Sequence, residues 1–203
     1  MFDKSIPKFS VIMKCNKEKV YTYDEVKLPQ GFKYKKYEIG DIDKWASIEV
    51  SVGEFSATED AIDRFNREFI PFGDELYDRC YFIVDDNDNY IATASALYYN
   101  AEDTHKATIN WVAVKPEFQG LGFGKAIIQK VLSLYKFYEP NQDIYLKTQT
   151  WSHRAIKIYL NLGFHVLKNE TLAHYQNEYK NAIEVLQKVM DVDTFNLLID
   201  AAE

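Results

Sequence analysis

A glycine-rich segment in the middle of the chain is the first candidate for chemistry. It reads Gln119-Gly-Leu-Gly-Phe-Gly124, with Lys125 next. Glycines let several backbone N–H groups converge without obstruction by a Cβ atom. A helix that starts here adds its unpaired N-terminal donors and the positive end of its dipole. Such a turn holds a phosphate without charged side chains; the alternative is a strand-to-helix turn that binds nothing.

The spacing of this segment excludes two common nucleotide-binding motifs. A P-loop requires glycine where this chain has Gln119, and Ser or Thr where it has Ala126. The glycines at 120, 122 and 124 follow the pattern G-x-G-x-G, not the G-x-G-x-x-G of a dinucleotide site. Neither ATP hydrolysis nor dinucleotide redox chemistry is supported.

No metal site and no reactive thiol is predicted. The run Asp85–Asn89 begins like a calcium loop, but Tyr90 and Ala96 replace the required glycine and bidentate glutamate. Cys15 and Cys80 form no C-x-x-C pair, and we expect buried structural thiols in a reducing cytoplasm. No zinc-type spacing occurs among the four histidines, His105, His153, His165 and His174.

A second segment, further along the chain, completes a pattern with the first. It reads Ser152-His-Arg-Ala155-x-x-x-Tyr159-x-x-x-Gly163-Phe164. Together the two segments resemble the GNAT N-acetyltransferase superfamily, in which [QR]-x-x-G-x-[GA] holds the pyrophosphate of acetyl-CoA and [NS]-x-x-A-x-x-x-Y-x-x-x-G-F forms the helix beside the thioester. Both patterns are complete and in the family's order, and the resemblance covers roughly residues 31–168.

The resemblance implies a role for each matching residue. The backbone of Val112–Val114 would pair with the pantetheine arm, and amides from 119 to 125 would hold the pyrophosphate. Ser152 would lie near the pantetheine, Ala155 would stay small to let it pass, and Tyr159 would be the general acid. The implied cofactor-binding residues are Val112, Ala113, Val114, Gln119, Gly120, Leu121, Gly122, Phe123, Gly124, Lys125, Ser152 and Ala155.

The chain departs from the family at the general base. Members often carry Glu or His on the strand before the glycine turn, where this chain has Thr108 and Asn110. Neither side chain accepts a proton near neutral pH. Three alternatives stay open: a water relay held by Asn110, an acid such as Glu49 or Glu54, or an acceptor that arrives deprotonated.

The function implied is acetyl-CoA-dependent transfer of an acetyl group to a primary amine by direct attack, with no metal. The acceptor would be a small molecule or a peptide amine. The alternative is a non-catalytic acetyl-CoA sensor or interaction module on the same fold. Residues 41–105 hold sixteen acidic residues against four basic ones. This imbalance favours a cationic acceptor, such as a lysine-type amine, although acids that only keep the surface solvated explain it equally well.

Strands and helices alternate along the chain, which predicts an α/β (α+β) fold. The resemblance implies a mostly antiparallel central sheet flanked by helices. We expect an N-terminal strand extension over 1–30, the acetyltransferase domain over 31–170 and a helical tail over 171–203. Ile42, Trp45 and Ile48 predict a helix after Gly40-Asp41, and Ser56-Ala-Thr-Glu59 predicts a capping box.

Composition supports a single ordinary globular domain. The chain has 203 residues, 47% of them hydrophobic, and a net charge of −7. It contains no apolar run that could span a bilayer, and its first residues lack the apolar core of a signal peptide. We therefore expect a cytoplasmic monomer or homodimer, with neither nucleic acid nor membrane as a partner.

Overall fold

A seven-stranded mixed sheet forms the centre of the fold. This is a computed structural model, and it describes residues 2–101 and 104–203. The strand order is β2-β3-β4-β5-β6-β1-β7. The strands are β1 (Ser10–Cys15), β2 (Phe32–Lys36), β3 (Cys80–Asp85), β4 (Tyr90–Ala101), β5 (Thr104–Val114), β6 (Ile144–Gln149) and β7 (Phe164–Val166). The expected fold class, a mixed and mostly antiparallel sheet flanked by helices, is confirmed.

Eight α-helices flank the described strands. They are α1 (Lys17–Val20), α2 (Ile42–Ser51), α3 (Thr58–Glu68), α4 (Leu76–Arg79), α5 (Phe123–Tyr138), α6 (His153–Asn161), α7 (Tyr179–Val189) and α8 (Val192–Asp200). Short 3₁₀ turns occupy Ile70–Glu75, Pro116–Phe118 and Thr150–Ser152. None of the helices in the described part of the chain is long and apolar enough to cross a membrane.

The pairing of β1 differs from that of an added edge strand. It is antiparallel to β6 on one side and to β7 on the other, so it lies inside the sheet. Val11, Ile12 and Met13 are buried in succession, and because successive side chains point to opposite faces, both faces of β1 are covered. Met1, the first residue of the expected N-terminal extension, lies outside the described residues, as do positions 102 and 103 of the expected domain.

The chain divides into two compact units that share β4 and β5. The first unit comprises residues 23–97 and 109–135, and the second comprises 2–22, 98–108 and 136–203. In the first, α2 buries Trp45 and Ile48 as its apolar spacing predicts. The predicted capping box is wrong: α3 begins at Thr58 after Ala57, with no side chain capping it.

The second unit holds the C-terminal helices. Ala182, Val185 and Leu186 of α7 are buried, and α7 packs against β1 and α8. An apolar stripe with this spacing must be covered by a neighbouring element. Asp191 caps α8 by accepting hydrogen bonds from the backbone N–H and the hydroxyl of Thr194. The tail is therefore a packed part of the second unit.

Candidate active site

The glycine-rich turn connects the end of β5 to the start of α5, within the first unit. Its first residue is anchored twice: the Gln119 side chain donates to the carbonyl of Val114 at 2.8 Å, and its backbone N–H donates to Pro116 at 3.2 Å. The side chain therefore holds the turn against the strand. Because its backbone N–H is already donated to Pro116, Gln119 anchors the turn and does not offer that amide to an anion.

Two glycines give the turn its shape. Gly120 and Gly122 have φ values of 81° and 88°, in the left-handed region that L-residues rarely adopt. A Cβ atom on either glycine would meet nothing within 4 Å, so backbone conformation, and not space, requires glycine here. Leu121, between them, is exposed. The chain thus turns twice before α5 begins at Phe123.

The start of α5 is fixed by an aromatic anchor. Phe123 is buried, with its ring 4.7 Å from that of Phe32 and 6.2 Å from that of Phe118. Gly124 lies inside the first turn of the helix and is not left-handed, unlike the two glycines before it. The first N–H groups of a helix have no partner within it, so those of Phe123, Gly124 and Lys125 are the natural donors for an anion.

β5 carries a backbone irregularity just before the predicted pantetheine segment. Trp111 has a φ of 54°, an outlier for a bulky residue inside a strand. The parallel register between β5 and β6 comprises two pairs, Ala107 with Ile144 and Thr108 with Tyr145. Val112–Val114 follows the irregularity, and the next amide, of Lys115, donates to Ile91 of β4.

The indole of Trp111 joins an aromatic cluster that the sequence did not reveal. Its ring lies 5.3 Å from Trp45 and 5.8 Å from Phe55, and the ring of Phe69 is 6.5 Å away. Its Nε1 donates to Glu68 Oε2 at 3.0 Å. The cluster connects α2 and α3 to the strand that leads into the glycine turn.

The second motif lies in the second unit. Ser152 directly precedes α6 and makes no side-chain capping bond, while Ala155 and Tyr159 lie within the helix. Tyr159 is buried, with its ring 5.8 Å from that of Phe164. Gly163 ends the helix with a φ of 84°, as the Gly163-Phe164 pair of the motif predicts. The motif therefore forms one helix, followed by a glycine in the left-handed backbone conformation.

The N-terminal residues hold the start of this motif in place. Thr150 donates its backbone N–H to Phe9 at 3.0 Å and its hydroxyl to Pro7 at 2.6 Å. The indole of Trp151 donates to Ile6 at 2.7 Å. These backbone carbonyl contacts fix the segment that leads into Ser152, within the second unit.

The model of the acetyltransferase (GNAT) family matches residues 44–164, which is more than half of the chain. The chain belongs to this family. No protein with a curated description matches it in sequence. The matched range contains the glycine turn, the Trp111 irregularity and all of α6.

Solved structures share the GNAT fold. A GCN5-related N-acetyltransferase from Sphaerobacter thermophilus is 19% identical, with a TM-score of 0.60 over 79% of this chain and 49% of that one. A glucosamine-6-phosphate N-acetyltransferase from Arabidopsis thaliana is 20% identical, with a TM-score of 0.51 over 72% of this chain and 98% of that one. A Clostridium acetobutylicum structure, described as a predicted acetyltransferase with acetyl-CoA, is 15% identical, with a TM-score of 0.51 over 72% and 94%. The chain spans about half the length of the first of these structures.

The candidate general bases of this GNAT chain differ sharply in their surroundings. Thr108 is buried and Asn110 is half-buried, both on β5. Glu49, on α2, is 3% exposed, and its Oε1 atom has no hydrogen-bond partner among the described residues. Burial, and then the nearby Glu54 carboxylate, raise the pKa of Glu49 well above its ordinary value. Glu54 itself is half-buried.

Proposed function

We propose that the chain is an acetyl-CoA-dependent N-acetyltransferase that transfers the acetyl group to a primary amine by direct attack. The observation that carries this proposal is the turn between β5 and α5. Gln119 is tied to the end of the strand, and two left-handed glycines direct the backbone into a helix start. This arrangement fits a pyrophosphate, because the backbone N–H donors of a glycine-rich turn meet the positive end of a helix dipole.

The remaining residues have proposed roles along the same ligand. The backbone of Val112–Val114 would pair with the pantetheine as an added strand would, and an amide of this segment would stabilise the oxyanion of the attack. Bound acetyl-CoA supplies a thioester that a neutral amine can attack without a covalent enzyme intermediate. Ser152 and Ala155 would border the pantetheine. Tyr159, a phenol with an ordinary pKa of roughly 10, would protonate the leaving thiolate.

We propose a cationic amine as the acceptor. Residues 41–80 hold eleven of the sixteen acids in the 41–105 segment, and this range includes α2 and α3. Several of these acids are neutralised by ion pairs, including Asp41 with Lys35 and Glu68 with Arg64. The segment nevertheless keeps a strong excess of carboxylates, and clustered carboxylates attract and steer a cation.

A non-catalytic acetyl-CoA sensor is the second candidate. One observation favours it: Thr108 and Asn110 stand on β5 where family members often carry a base, and Thr108 is buried. The experiment incubates the chain with acetyl-CoA and a panel of primary amines and measures release of the CoA thiol. Amine-dependent release supports the transferase. Binding without release from any amine supports the sensor, and an absence of binding contradicts both.

A further inference from the structure

Helix α2 carries two buried polar atoms that lack partners. Trp45 Nε1 is a donor and Glu49 Oε1 is an acceptor, and neither makes a hydrogen bond within the described residues. The two residues are four apart on the helix and therefore lie on one face, one turn from each other. Trp45 is fully buried and Glu49 nearly so. Buried polar groups are rarely left unsatisfied, so two on one face of a helix require an explanation.

The surroundings of Glu49 do not compensate its charge. The groups that act on its titration or feel its charge are the Glu54 carboxyl, from the loop after α2, and the Cys80 thiol, from β3. Neither is a cation. An uncompensated buried carboxyl lowers the stability of the fold, whereas a leucine or methionine of similar size would not. A buried carboxyl without a compensating cation is therefore a candidate functional group.

The same helix face is joined to the strand of the proposed cofactor site. The ring of Trp45 lies 5.3 Å from Trp111, and Trp111 immediately precedes Val112–Val114. Phe55, one residue after Glu54, contacts both indoles, at 6.2 Å and 5.8 Å between ring centroids. All of these residues lie in the first unit. Glu49 thus lies on α2, which packs against Trp111, the residue directly before the proposed pantetheine-binding segment Val112–Val114.

We propose that Glu49 is the catalytic base of the acetyl transfer, taking a proton from the ammonium group of the acceptor. This inference rests on the proposed function and selects Glu49 over Glu54, which is half-buried and more open to solvent. The ammonium loses one proton to the Glu49 carboxylate and becomes a neutral amine. Its nitrogen then forms the C–N bond to the acetyl carbon, and the C–S bond breaks.

Two further protons move when the C–S bond breaks. Tyr159 gives its proton to the leaving thiolate, and the amide nitrogen returns a proton to the tyrosyl oxygen. Glu49 keeps the first proton and loses it to solvent before the next cycle. A buried carboxyl suits this step, because a base works best when its pKa lies near the working pH, and burial moves that of Glu49 upward.

The test compares Glu49→Gln with the matched variant Glu54→Gln in the full chain. The acceptor is the best one from a panel of phenethylamine, cadaverine and glucosamine. At pH 7 we expect kcat/KM to fall about 10²–10⁴-fold in Glu49→Gln, which is the usual contribution of a general base. The loss should shrink as the pH approaches the amine's own pKa, where the acceptor arrives neutral. Glu54→Gln should keep the base, with its pH profile shifted to lower pH, because this variant lacks the carboxylate that helps to raise the pKa of Glu49.

Two further measurements keep the outcomes distinct. The acetyl-CoA-dependent rise in melting temperature should persist in Glu49→Gln, which shows that the fold and the cofactor site are intact. Glu49→Asp, which retains the carboxyl, should recover part of the lost rate. A Glu49→Gln chain with wild-type kcat/KM and pH profile overturns the role of Glu49 and leaves the transferase standing. A wild-type chain that binds acetyl-CoA but acetylates no amine overturns both.

Discussion

The indole of Trp45 meets the indole of Trp111 edge to face, with centroids 5.3 Å apart and ring planes at 74°. Such a pair contributes about 0.5–1.5 kcal/mol beyond the apolar area that it buries. The contact joins α2 to β5 inside the first unit. The position of Glu49 relative to Val112 is therefore set by packing between rigid rings and not by a loop.

Replacing Gly122 by valine should abolish the stabilisation of the chain by acetyl-CoA. Gly122 has a φ of 88°, which a β-branched residue resists, so the donors of the turn would move out of place. A ligand that binds only the native state raises the melting temperature, and the measurement is this shift with and without acetyl-CoA. Gly73→Val is the control, because Gly73 is also left-handed with open space around it. A normal shift in Gly122→Val would contradict the phosphate role of the turn.

Replacing Tyr159 by phenylalanine should lower kcat by about 10²–10⁴-fold and leave the affinity for acetyl-CoA nearly unchanged. The reason is that only the proton donor to the thiolate is removed, while the buried ring remains against Phe164. Kinetics at saturating acetyl-CoA, under conditions where chemistry limits the rate, measure the effect. Tyr135→Phe is the control, since that buried hydroxyl bonds to the carbonyl of Leu97. Unchanged turnover would make Tyr159 a packing residue.

Replacing Glu49 by glutamine should stabilise the fold at neutral pH and not in acid. The folded chain raises the pKa of Glu49 above its ordinary 4.5, so above pH 4.5 unfolding releases a proton. Wild-type stability therefore falls as the pH rises from 4.5 to the folded pKa, and glutamine removes this loss. Urea unfolding at several pH values should show a gain that grows through this window and vanishes near pH 4. A gain in the free energy of unfolding that is independent of pH, or equal in the exposed variant Glu59→Gln, would contradict a raised pKa at Glu49.

Cationic amines should be better acceptors than neutral analogues of the same size. The excess of carboxylates over residues 41–80 lowers the free energy of a nearby cation and speeds its approach. Because salt screens this attraction, the preference should weaken as ionic strength increases. The measurement is kcat/KM for matched cationic and neutral amines across a salt series. Equal selectivity at every salt concentration would show that these acids serve only the surface.

The glycine turn and the α6 motif could be predicted because their conformations are tied to residue type. Left-handed positions at 120, 122 and 163 favour glycine, so the glycines of the two motifs predict the backbone geometry. The place of β1 between β6 and β7 could not be predicted. Alternating hydrophobicity marks a strand, but its partners lie more than a hundred residues away and leave no local signal.

The left-handed conformation of Trp111 and the burial of Glu49 could not be predicted from the sequence. Tryptophan disfavours a φ of 54°, so its residue type gives no indication that Trp111 adopts this conformation, which depends on the packing around it. Glu49 lies one turn after Trp45, and helical spacing places both on one face, but a carboxylate is ordinarily expected to point to solvent. The predicted capping box failed at α3 because the helix starts two residues after Ser56, which lies too early to cap it.

The open space around Gly120 and Gly122 means that these positions select for handedness and not for size. A D-amino acid favours positive φ, so φ values near 81° and 88° suit D-alanine better than L-alanine, and its methyl group points in a different direction from that of an L-residue. A chain assembled chemically with D-alanine at either position would keep the turn. Any remaining change in acetyl-CoA binding would then report contact between that methyl group and the ligand, separated from the conformation of the backbone.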